Sequence, residues 1–293
     1  MRIFGGLGNQ LFCFVVAKSI ALENNAELII DNVTDFKNDK YNRVYQLENF
    51  NISSRIAVRS ENLYPFSRFY YKFLKIISNF QSFEKRIYIR HDGVDFDKRV
   101  LNIKSRGVTY IEGCWQSEDY FIKYQSLIRE ELKIQPPKDL NNSNLVSQII
   151  KSESVFIHFR FFDTDINSQN NTNISYYYEA INKIKSLVVN PHFFIFSDDI
   201  DKVLNLELLS IINFTIVDFN KGQENAYKDL WLMSNCKHGI IANSTFSWWG
   251  GWLIGNLNKF IVAPDFRIEN TKNTITMWGF KGLIPKSWIK IKL

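Results

Sequence analysis

The second half of the chain alternates short apolar runs with amphipathic segments. The apolar runs predict buried strands at five places: Val155–Phe159, Phe193–Phe196, Ile212–Val217, Gly239–Ala242 and Phe260–Ala263. The other segments predict helices at four places: Leu145–Lys151, Tyr176–Leu187, Glu224–Asn235 and Ser247–Asn256. Apolar strands that alternate with helices are typical of parallel strands buried on both faces of a sheet. This half is therefore predicted to be a doubly wound α/β domain of the nucleotide-binding type.

The first half begins with a similar pattern and then becomes less regular. Ile3–Phe4 predicts a short strand that ends in a glycine turn at Gly5-Gly6-Leu7-Gly8, and Gln10–Leu22 predicts a helix. Two more strands and a longer helical segment are predicted at three places: Ala26–Ile30, Val108–Glu112 and Ser117–Leu132. Aromatic residues in a basic stretch predict one or two amphipathic helices: Phe66, Phe69, Tyr70, Tyr71 and Phe73.

Two prolines mark the boundary between the halves. Gln135-Pro136-Pro137-Lys138 cannot continue a helix, because proline lacks a backbone N–H and favours extended geometry before it. The length of 293 residues also exceeds the roughly 100–200 of one typical domain. We therefore expect an N-terminal α/β domain at residues 1–136 and a C-terminal one at residues 137–293.

Composition and charge narrow the class of protein. With 45% hydrophobic and 23% charged residues, the chain is globular rather than disordered. The net charge of +6 suits an anionic partner, which includes a nucleotide, a nucleic acid or an acidic membrane face. Basic residues are concentrated between Arg68 and Arg86 and again at Lys286, Lys290 and Lys292, where we expect a solvated tail.

Targeting and cysteine patterns favour a reducing compartment. The three cysteines (Cys13, Cys114 and Cys236) are widely spaced and form no zinc or disulfide motif with the four histidines. No apolar run approaches the roughly 18 residues of a membrane span, and the N-terminus lacks the pattern of a signal peptide. We expect a cytoplasmic protein without a transmembrane segment.

The first glycine turn has two interpretations. Ligands of doubly wound sheets bind at the carboxyl ends of strands, so a glycine turn there can approach an anion closely. The dinucleotide pattern G-x-G-x-x-G would start at Gly6, but its third glycine position holds Leu11. Asp31 could still serve as the ribose-binding acid of a nicotinamide enzyme. A tight strand-to-helix turn without ligand remains the other possibility.

Residues that could bind a phosphate or a metal lie at the end of the first predicted strand of the second half and just after it. Arg160 can hold a phosphate through two hydrogen bonds, and His158 can donate to the same ligand. A buried core histidine and a surface ion pair are the alternative. Asp163-Thr164-Asp165 and Asp95-Phe96-Asp97 have the D-x-D form of some metal sites, whereas Ser197-Asp198-Asp199 is more simply a helix N-cap.

A dense polar and aromatic motif follows the Gly239–Ala242 strand. Asn243-Ser244-Thr245-Phe246-Ser247-Trp248-Trp249-Gly250-Gly251 places hydroxyl and backbone N–H groups at the start of a predicted helix. Such a helix start can cradle a phosphate, and its aromatic rings can pack against a sugar or a base. Packing of Trp248 and Trp249 in the core is equally compatible with the pattern.

Several motifs together resemble glycosyltransferase family 11, the α1,2-fucosyltransferases, in its bacterial form. They occur in the family's order: Gly5 to Phe12, Gly113-Cys114-Trp115-Gln116-Ser117-Glu118-Asp119-Tyr120-Phe121, Phe196-Ser197-Asp198-Asp199, and Asp229 through Trp249. The family usually carries H-x-R-R-G-D-Y where this chain has His158-Phe159-Arg160-Phe161-Phe162-Asp163-Thr164. The histidine, first arginine and aspartate are therefore kept.

The resemblance implies a fold, a donor and residue roles. The fold would be of GT-B type, with two Rossmann-like domains and the nucleotide site in the C-terminal half. The reaction would be inverting, would use GDP-fucose and would need no cofactor or bound metal. Arg160 would hold the β-phosphate beside His158, Asp229 would bind guanine or ribose, and Asp163 is the candidate base. The implied substrate-binding residues are Gly6, Gly8, Asn9, Gln10, Asp229, Asn243, Ser244, Thr245 and Phe246; Asn9 and Gln10 would face the fucose and the acceptor.

The activity implied is that of a galactoside α-1,2-fucosyltransferase, a hexosyltransferase of surface polysaccharide or O-antigen biosynthesis. Its acceptor would be a galactose-terminated glycan, linked to a lipid and met at the inner membrane face. Three alternatives stay open from the residues: another GDP-sugar donor, an NAD-dependent oxidoreductase, and a nucleic-acid-binding protein based on Arg68 to Arg86. The expectation is that nucleic acid is not a partner.

Overall fold

The computed structural model describes residues 1–37, 39, 41–62, 68–91, 93–105, 107–268 and 277–292. They form two compact units, Met1–Lys133 with Lys281–Leu283 and Ile134–Phe280 with Ile284–Leu293. The first unit thus ends slightly before the proline pair, and residues 281–283 return to it, which the sequence pattern does not indicate. The prediction for Phe66 lies outside the described residues.

The described residues of the first unit form short parallel strands and three α-helices. In chain order they are α1 (Leu7–Glu23), β1 (Ile29–Ile30), β2 (Arg55–Ile56), α2 (Arg68–Asn79), β3 (Tyr88–Arg90), β4 (Tyr110–Glu112) and α3 (Gln125–Glu131). The strands pair as β1 with β2 and β3 with β4, both in parallel. Arg2 forms parallel bridges to Asp31 and to Glu112, so the N-terminal segment lies between the two pairs. The predicted strand at Ile3–Phe4 is reduced to this bridge.

Helix α1 is the buried centre of the first unit. All residues from Leu11 to Ala17 are buried, as expected for a helix that is apolar on every side. It begins earlier than predicted because Gly6 acts as its N-cap. The predicted helix at Ser117–Leu132 is wrong in its first half, which forms two 3-10 turns before α3 begins.

The second unit is a six-stranded, fully parallel sheet with helices. Its elements are α4 (Leu140–Lys151), β5 (Ser154–Phe159), α5 (Ile174–Leu187), β6 (His192–Ser197), α6 (Ile200–Leu204), β7 (Phe214–Val217), α7 (Ala226–Asn235), β8 (His238–Ile240), α8 (Thr245–Leu253), β9 (Ile261–Asp265) and β10 (Ile289–Lys292). The strand order is β10-β9-β8-β5-β6-β7. The chain therefore runs outward in one direction from β5 and in the other from β8. This reversal is the topological switch point of a Rossmann-like sheet.

Strand β5 is buried along its whole length because both faces of the sheet are covered. Val155, Ile157 and Phe159 belong to a core cluster that includes the aromatic residues of α5. On the other face, a Cβ at Gly239 would lie 2.3 Å from the Phe156 ring. Glycine at this position is thus required by close packing.

The C-terminal lysines are placed differently from the prediction of a solvated tail. Residues Ile289–Lys292 form β10, which pairs in parallel with β9 at the edge of the sheet. Ile291 is buried and Lys290 and Lys292 are exposed. The alternation of isoleucine and lysine is the period-two pattern of an edge strand.

Candidate active site

The carboxyl ends of β5 and β8 meet at the switch point of the second unit. The two strands are direct neighbours, with Val155 opposite His238 and Ile157 opposite Ile240. The residues at and beyond these strand ends, His158 to Asp163 and Asn243 to Phe246, therefore share one edge of the sheet. Ligands of open α/β sheets bind at this position.

His158 lies near the end of β5 and is 5% exposed. Its ring centroid is 5.5 Å from that of Phe246 in the first turn of α8. Its Nδ1 atom is buried and has no hydrogen-bond partner among the residues that the structure describes. Burial, with a smaller contribution from the Arg160 charge, lowers the pKa of His158 to about 3. The imidazole is therefore neutral at physiological pH and has one unused polar atom.

The Arg160 side chain contacts Asp198 and Phe162 without being buried. Its Nη1 is 3.1 Å from Asp198 Oδ2, and its side chain is 40% exposed. Asp198 Oδ1 accepts a hydrogen bond of 3.0 Å from the Phe161 backbone N–H. The guanidinium carbon also lies 5.1 Å from the centre of the Phe162 ring. The guanidinium is thus oriented and still accessible to an anion.

The motif after β8 forms a capped helix start. Ser244 is the N-cap of α8, and its Oγ accepts a 3.3 Å hydrogen bond from the Phe246 N–H. Ser247 Oγ accepts from the Ala242 N–H at 3.2 Å. Thr245 and Phe246 are partly exposed at this helix start. The arrangement has the partial positive charge that favours an anion.

The buried members of the same motif hold the loop in place. The Asn243 amide accepts from Thr172 Oγ1 at 2.9 Å and donates to the Asn170 carbonyl at 2.9 Å. Trp248 and Trp249 are fully buried, with ring centroids 4.9 Å apart. The question that the sequence left open is thus decided in favour of core packing for both tryptophans.

The D-x-D sequences organise their own loops. Asp163 accepts hydrogen bonds from Ser168 Oγ and the Thr164 N–H, which lower its pKa. In the other D-x-D, Asp97 caps a 3-10 turn and pairs with Arg99. Within the described ranges, no group of three or more histidine, cysteine, aspartate or glutamate side chains is arranged to hold a metal ion.

Asp229 lies in the first turn of α7 and is partly buried. Its Oδ1 accepts a 2.8 Å hydrogen bond from Asn220 Nδ2. Asn220 in turn exchanges hydrogen bonds with the buried side chain of Asn142. Burial raises the pKa of Asp229 to about 7, and the Asn220 hydrogen bond opposes this shift only in part.

The predicted residues of the first unit lie in and beside the glycine turn. Gly5 has φ +78°, a conformation that favours glycine, and a Cβ at Gly6 would meet open space. Gly8 is buried in α1. Gln10 is fully buried, and its amide hydrogen-bonds the backbone at Gly5, Val44 and Gln46. Gln10 therefore holds the turn in place.

Asn9 connects the motif at Gly5 to Phe12 with the motif at Gly113 to Phe121. Its Oδ1 accepts a hydrogen bond of 3.3 Å from Gln116 Nε2, which follows β4. The Cys114 thiol lies near the Asn9 carbonyl, with 3.8 Å between sulfur and oxygen. The glycine turn and the segment after β4 thus meet at one edge of the first unit.

Comparison with known proteins gives the family. The model of the family described as glycosyl transferase family 11 matches residues 2–274. The chain belongs to glycosyltransferase family 11. This family 11 enzyme is 31% identical to an α-1,2-colitosyltransferase of Escherichia coli over 99% of this chain and 98% of that protein. It is 25% identical to the O-antigen biosynthesis glycosyltransferase WbnK of Escherichia coli, over 98% of each chain.

Solved structures agree with the fold of the family 11 enzyme. Fucosyltransferase NodZ from Bradyrhizobium matches with a TM-score of 0.52 and 15% identity, covering 85% of this chain and 90% of NodZ. A crystal of NodZ soaked with GDP-fucose matches with a TM-score of 0.50 and 15% identity, over 86% and 91% of the two chains. The predicted α/β fold of GT-B type is confirmed. Among the described residues, none forms a helix both long and apolar enough to cross a bilayer.

The structure of the family 11 enzyme brings some predicted site residues together and separates others. His158, Arg160, Ser244 and Phe246 share the edge at the switch point, whereas the Asp163 carboxylate bonds within its own loop. The sequence pattern does not indicate Asp198 as a site residue, because Asp199 explains the N-cap of α6. Its position after β6, next to β5, was the available signal. Family membership gives no support to the nicotinamide or nucleic-acid alternatives.

Proposed function

We propose that this enzyme transfers L-fucose from GDP-fucose to the 2-hydroxyl of a terminal β-galactoside, with inversion. The observation that carries the proposal is the buried, unpartnered Nδ1 of His158 beside the start of α8. A buried polar atom without a partner costs free energy, so such atoms are concentrated where a ligand completes the hydrogen bond. A phosphate or ribose oxygen of a nucleotide at this edge supplies that partner.

The groups around His158 suit a diphosphate. Arg160 supplies a full positive charge, and the start of α8 supplies backbone N–H groups with a partial positive charge. Asp198 keeps the guanidinium oriented in advance, so little reorganisation is needed when charge develops on a phosphate. These donors can offset the leaving-group charge, and we therefore propose a reaction without a bound metal or other cofactor.

The chemistry follows from this placement. The bond between fucose C1 and the β-phosphate oxygen breaks, and its electron pair goes to GDP beside Arg160. The acceptor 2-hydroxyl attacks C1 from the opposite face, which inverts the configuration, and gives its proton to a base. The low pKa of Asp163 makes it a weak base, so its role in this step stays a prediction.

Asp229 extends the proposed binding set of the second unit. The Asp229 carboxylate is available to accept hydrogen bonds from guanine or ribose once it is ionised. The contacts predicted for Asn9, Gln10 and the turn glycines with fucose and acceptor stay predictions. For Gln10 and Asn243, the observed hydrogen bonds support an indirect role, through the loops they hold.

A second donor is supported by one observation. The 31% identical relative is named an α-1,2-colitosyltransferase, so another GDP-activated deoxysugar is the alternative to fucose. The relative named for O-antigen biosynthesis supports a surface-polysaccharide acceptor. An acceptor linked to lipid, and a site of action at the cytoplasmic face of the membrane, stay predictions.

The test is a transfer assay that varies donor and acceptor together. GDP-fucose, GDP-colitose, GDP-mannose and UDP-galactose are each incubated with galactose-terminated and glucose-terminated glycans, and products are analysed by NMR for linkage and anomeric configuration. We expect an α-1,2-linked fucosyl-galactoside from GDP-fucose. If GDP-colitose is the preferred donor, the assignment of GDP-fucose as the donor is wrong. If transfer occurs only to glycans without terminal galactose, the acceptor assignment is wrong.

A further inference from the structure

The strongest feature outside the site is an exposed stripe of large apolar residues on α2. Phe69, Phe73, Ile76 and Phe80 are 89%, 56%, 59% and 87% exposed. Their spacing of four, three and four residues places them on one face of the helix, which Phe80 extends through its hydrogen bond to the Ile77 carbonyl. A contiguous apolar stripe on a surface marks an interaction site more often than scattered exposed residues do.

The opposite face of α2 is anchored in the first unit. Leu74 is 3% exposed, and Ser78 is 1% exposed and accepts a 2.9 Å hydrogen bond from the Tyr88 N–H of β3. At 100° per residue, Leu74 and Ser78 lie on the side of the helix away from the aromatic stripe. The helix is therefore fixed through one face and presents the other to its surroundings.

The charge beside the stripe indicates the partner. Lys72 is exposed on the flank of the stripe, and Lys85 is exposed a short distance along the chain. Between residues 68 and 86 the sequence has five basic residues and Glu84 as its one acidic residue. A second copy of this chain would bring the same positive charge, which opposes self-association through this face. Nucleic-acid affinity depends mainly on many phosphate contacts, whereas this surface is dominated by apolar side chains.

We propose that α2 is an interfacial helix that binds an anionic lipid bilayer. The stripe of Phe69, Phe73, Ile76 and Phe80 enters the boundary between headgroups and acyl chains, and Lys72 contacts the anionic headgroups. Helices with aromatic residues on one face and lysines on the flank bind membranes in this way. The surface lies on the first unit, and the inference does not depend on the proposed donor or acceptor.

The experiment is vesicle flotation with the full chain. Vesicles contain phosphatidylcholine alone or with about 30 mol% phosphatidylglycerol, at low and high salt. The variants are Phe69→Ser with Phe73→Ser, and Lys72→Glu. One control is Leu257→Ser, because Leu257 is an isolated apolar residue, 98% exposed, in the second unit. Lys290→Glu with Lys292→Glu tests the other exposed basic segment.

We expect the wild type to bind the anionic vesicles, with weaker binding at high salt and to pure phosphatidylcholine. The double phenylalanine variant should lose binding by roughly tenfold or more, and Lys72→Glu by about fivefold or more. Vesicle binding should be unchanged by Leu257→Ser and by Lys290→Glu with Lys292→Glu. Circular dichroism and melting temperature should stay unchanged, because the replaced side chains are exposed.

Four results would overturn the inference. The first is no binding to anionic vesicles at low salt, and the second is binding that the α2 variants leave unchanged. The third is binding to an oligonucleotide, but not to vesicles, that the α2 variants abolish. The fourth is a dimer in size-exclusion chromatography that the phenylalanine variant converts to a monomer, with no vesicle binding. Fucosyl transfer to a water-soluble glycan should be the same for all variants, so failure of the proposed function would be recognised separately.

Discussion

Asp198 Oδ2 lies 3.1 Å from Arg160 Nη1, and Asp198 Oδ1 accepts a hydrogen bond from the Phe161 N–H. One carboxylate therefore joins the side chain and the backbone of the loop after β5. Rotation of Asp198 would break both interactions, so the position of the guanidinium is tied to the path of this loop. The residues that replace the family's usual second arginine and glycine take part in the arrangement, because Phe162 lies against the guanidinium.

The first prediction concerns Asp198 as a positioning residue. Asp198→Asn keeps an oxygen for the Phe161 N–H and removes the charge that holds Arg160. We expect kcat to fall about tenfold, less than for a fully buried charge-assisted pair because Arg160 is partly solvated. GDP affinity should change less than kcat. Steady-state kinetics with GDP-fucose and calorimetry with GDP measure the two quantities.

Asp199→Asn is the matched control for this prediction. Asp199 is the N-cap of α6 and accepts a hydrogen bond from the Lys202 N–H. Asparagine is an equally good N-cap, so this variant should keep both stability and kcat. Equal losses of kcat in the two variants would contradict a specific role for Asp198.

The second prediction separates binding from stability at His158. In His158→Phe, a phenyl ring replaces the imidazole that packs on Phe246, and the unpartnered Nδ1 is removed. We expect GDP to bind about tenfold more weakly. The free energy of unfolding should fall by less than about 1 kcal/mol, or should rise, because a buried polar atom without a partner is removed. Calorimetry and urea denaturation measure these values. Unchanged GDP affinity, together with lower stability, would assign His158 to the core alone.

The third prediction follows from the raised pKa of Asp229. The folded protein keeps a proton on this carboxyl up to about pH 7, whereas an aspartate carboxyl with its ordinary pKa of 3.8 loses the proton at much lower pH. The contribution of Asp229 to the free energy of unfolding is thus largest below about pH 4 and is lost as pH rises through about 7. Asp229→Asn has no such dependence. Its stability relative to wild type should rise by up to about 2 kcal/mol between pH 5 and 7.

Urea denaturation at several pH values tests this sign directly, and parallel curves for the two proteins would contradict it. GDP affinity gives an independent readout. If the ionised carboxylate accepts hydrogen bonds from the nucleotide, GDP should bind the wild type more tightly as pH rises through 7. The Asp229→Asn variant should bind GDP more weakly and should lack the part of this pH dependence that comes from the Asp229 proton, whereas the part that comes from the GDP phosphate is common to both proteins.

The fourth prediction is that transfer needs no divalent metal. Arg160 and the start of α8 supply the positive charge that Mg²⁺ or Mn²⁺ would supply to the diphosphate. Activity should therefore persist after dialysis against EDTA, to within about twofold of the untreated enzyme. If chelation abolishes activity and Mn²⁺ restores it, the proposal is wrong. Asp163 and Asp165 would then be the first candidates for metal ligands.

The sequence predicted the buried parallel strands well because their apolar runs leave few alternatives. Strands β5 and β6 begin within one residue of the predicted positions. The short strands of the first unit were harder to predict from the sequence, because a two-residue strand is too short to show an alternation of apolar and polar residues. Strand β10 was missed because its exposed lysines resemble a solvated tail, while its pairing with β9 is a long-range property.

The candidate site was predictable where a residue type and a strand end coincide. His158, Arg160 and the Asn243–Phe246 motif follow this rule. The sequence did not predict which residues contact a ligand and which hold a loop, because this depends on hydrogen-bond partners that are distant in sequence. Gln10 and Asn243 illustrate this, with partners 36 and 71 residues away. The role of Asp198 was not predicted either, because its partner Arg160 is also distant in sequence.

The role of Arg160 in holding the departing phosphate is tested by kcat of Arg160→Lys with GDP-fucose, measured on the same preparation as its melting temperature. Lysine keeps the charge and loses the planar fork of the guanidinium, so we predict that kcat falls by about 10²–10³-fold. GDP affinity should fall much less, and the melting temperature should stay close to wild type because Arg160 is partly exposed. A stable Arg160→Lys enzyme with wild-type kcat would contradict the assignment of Arg160 to the departing phosphate.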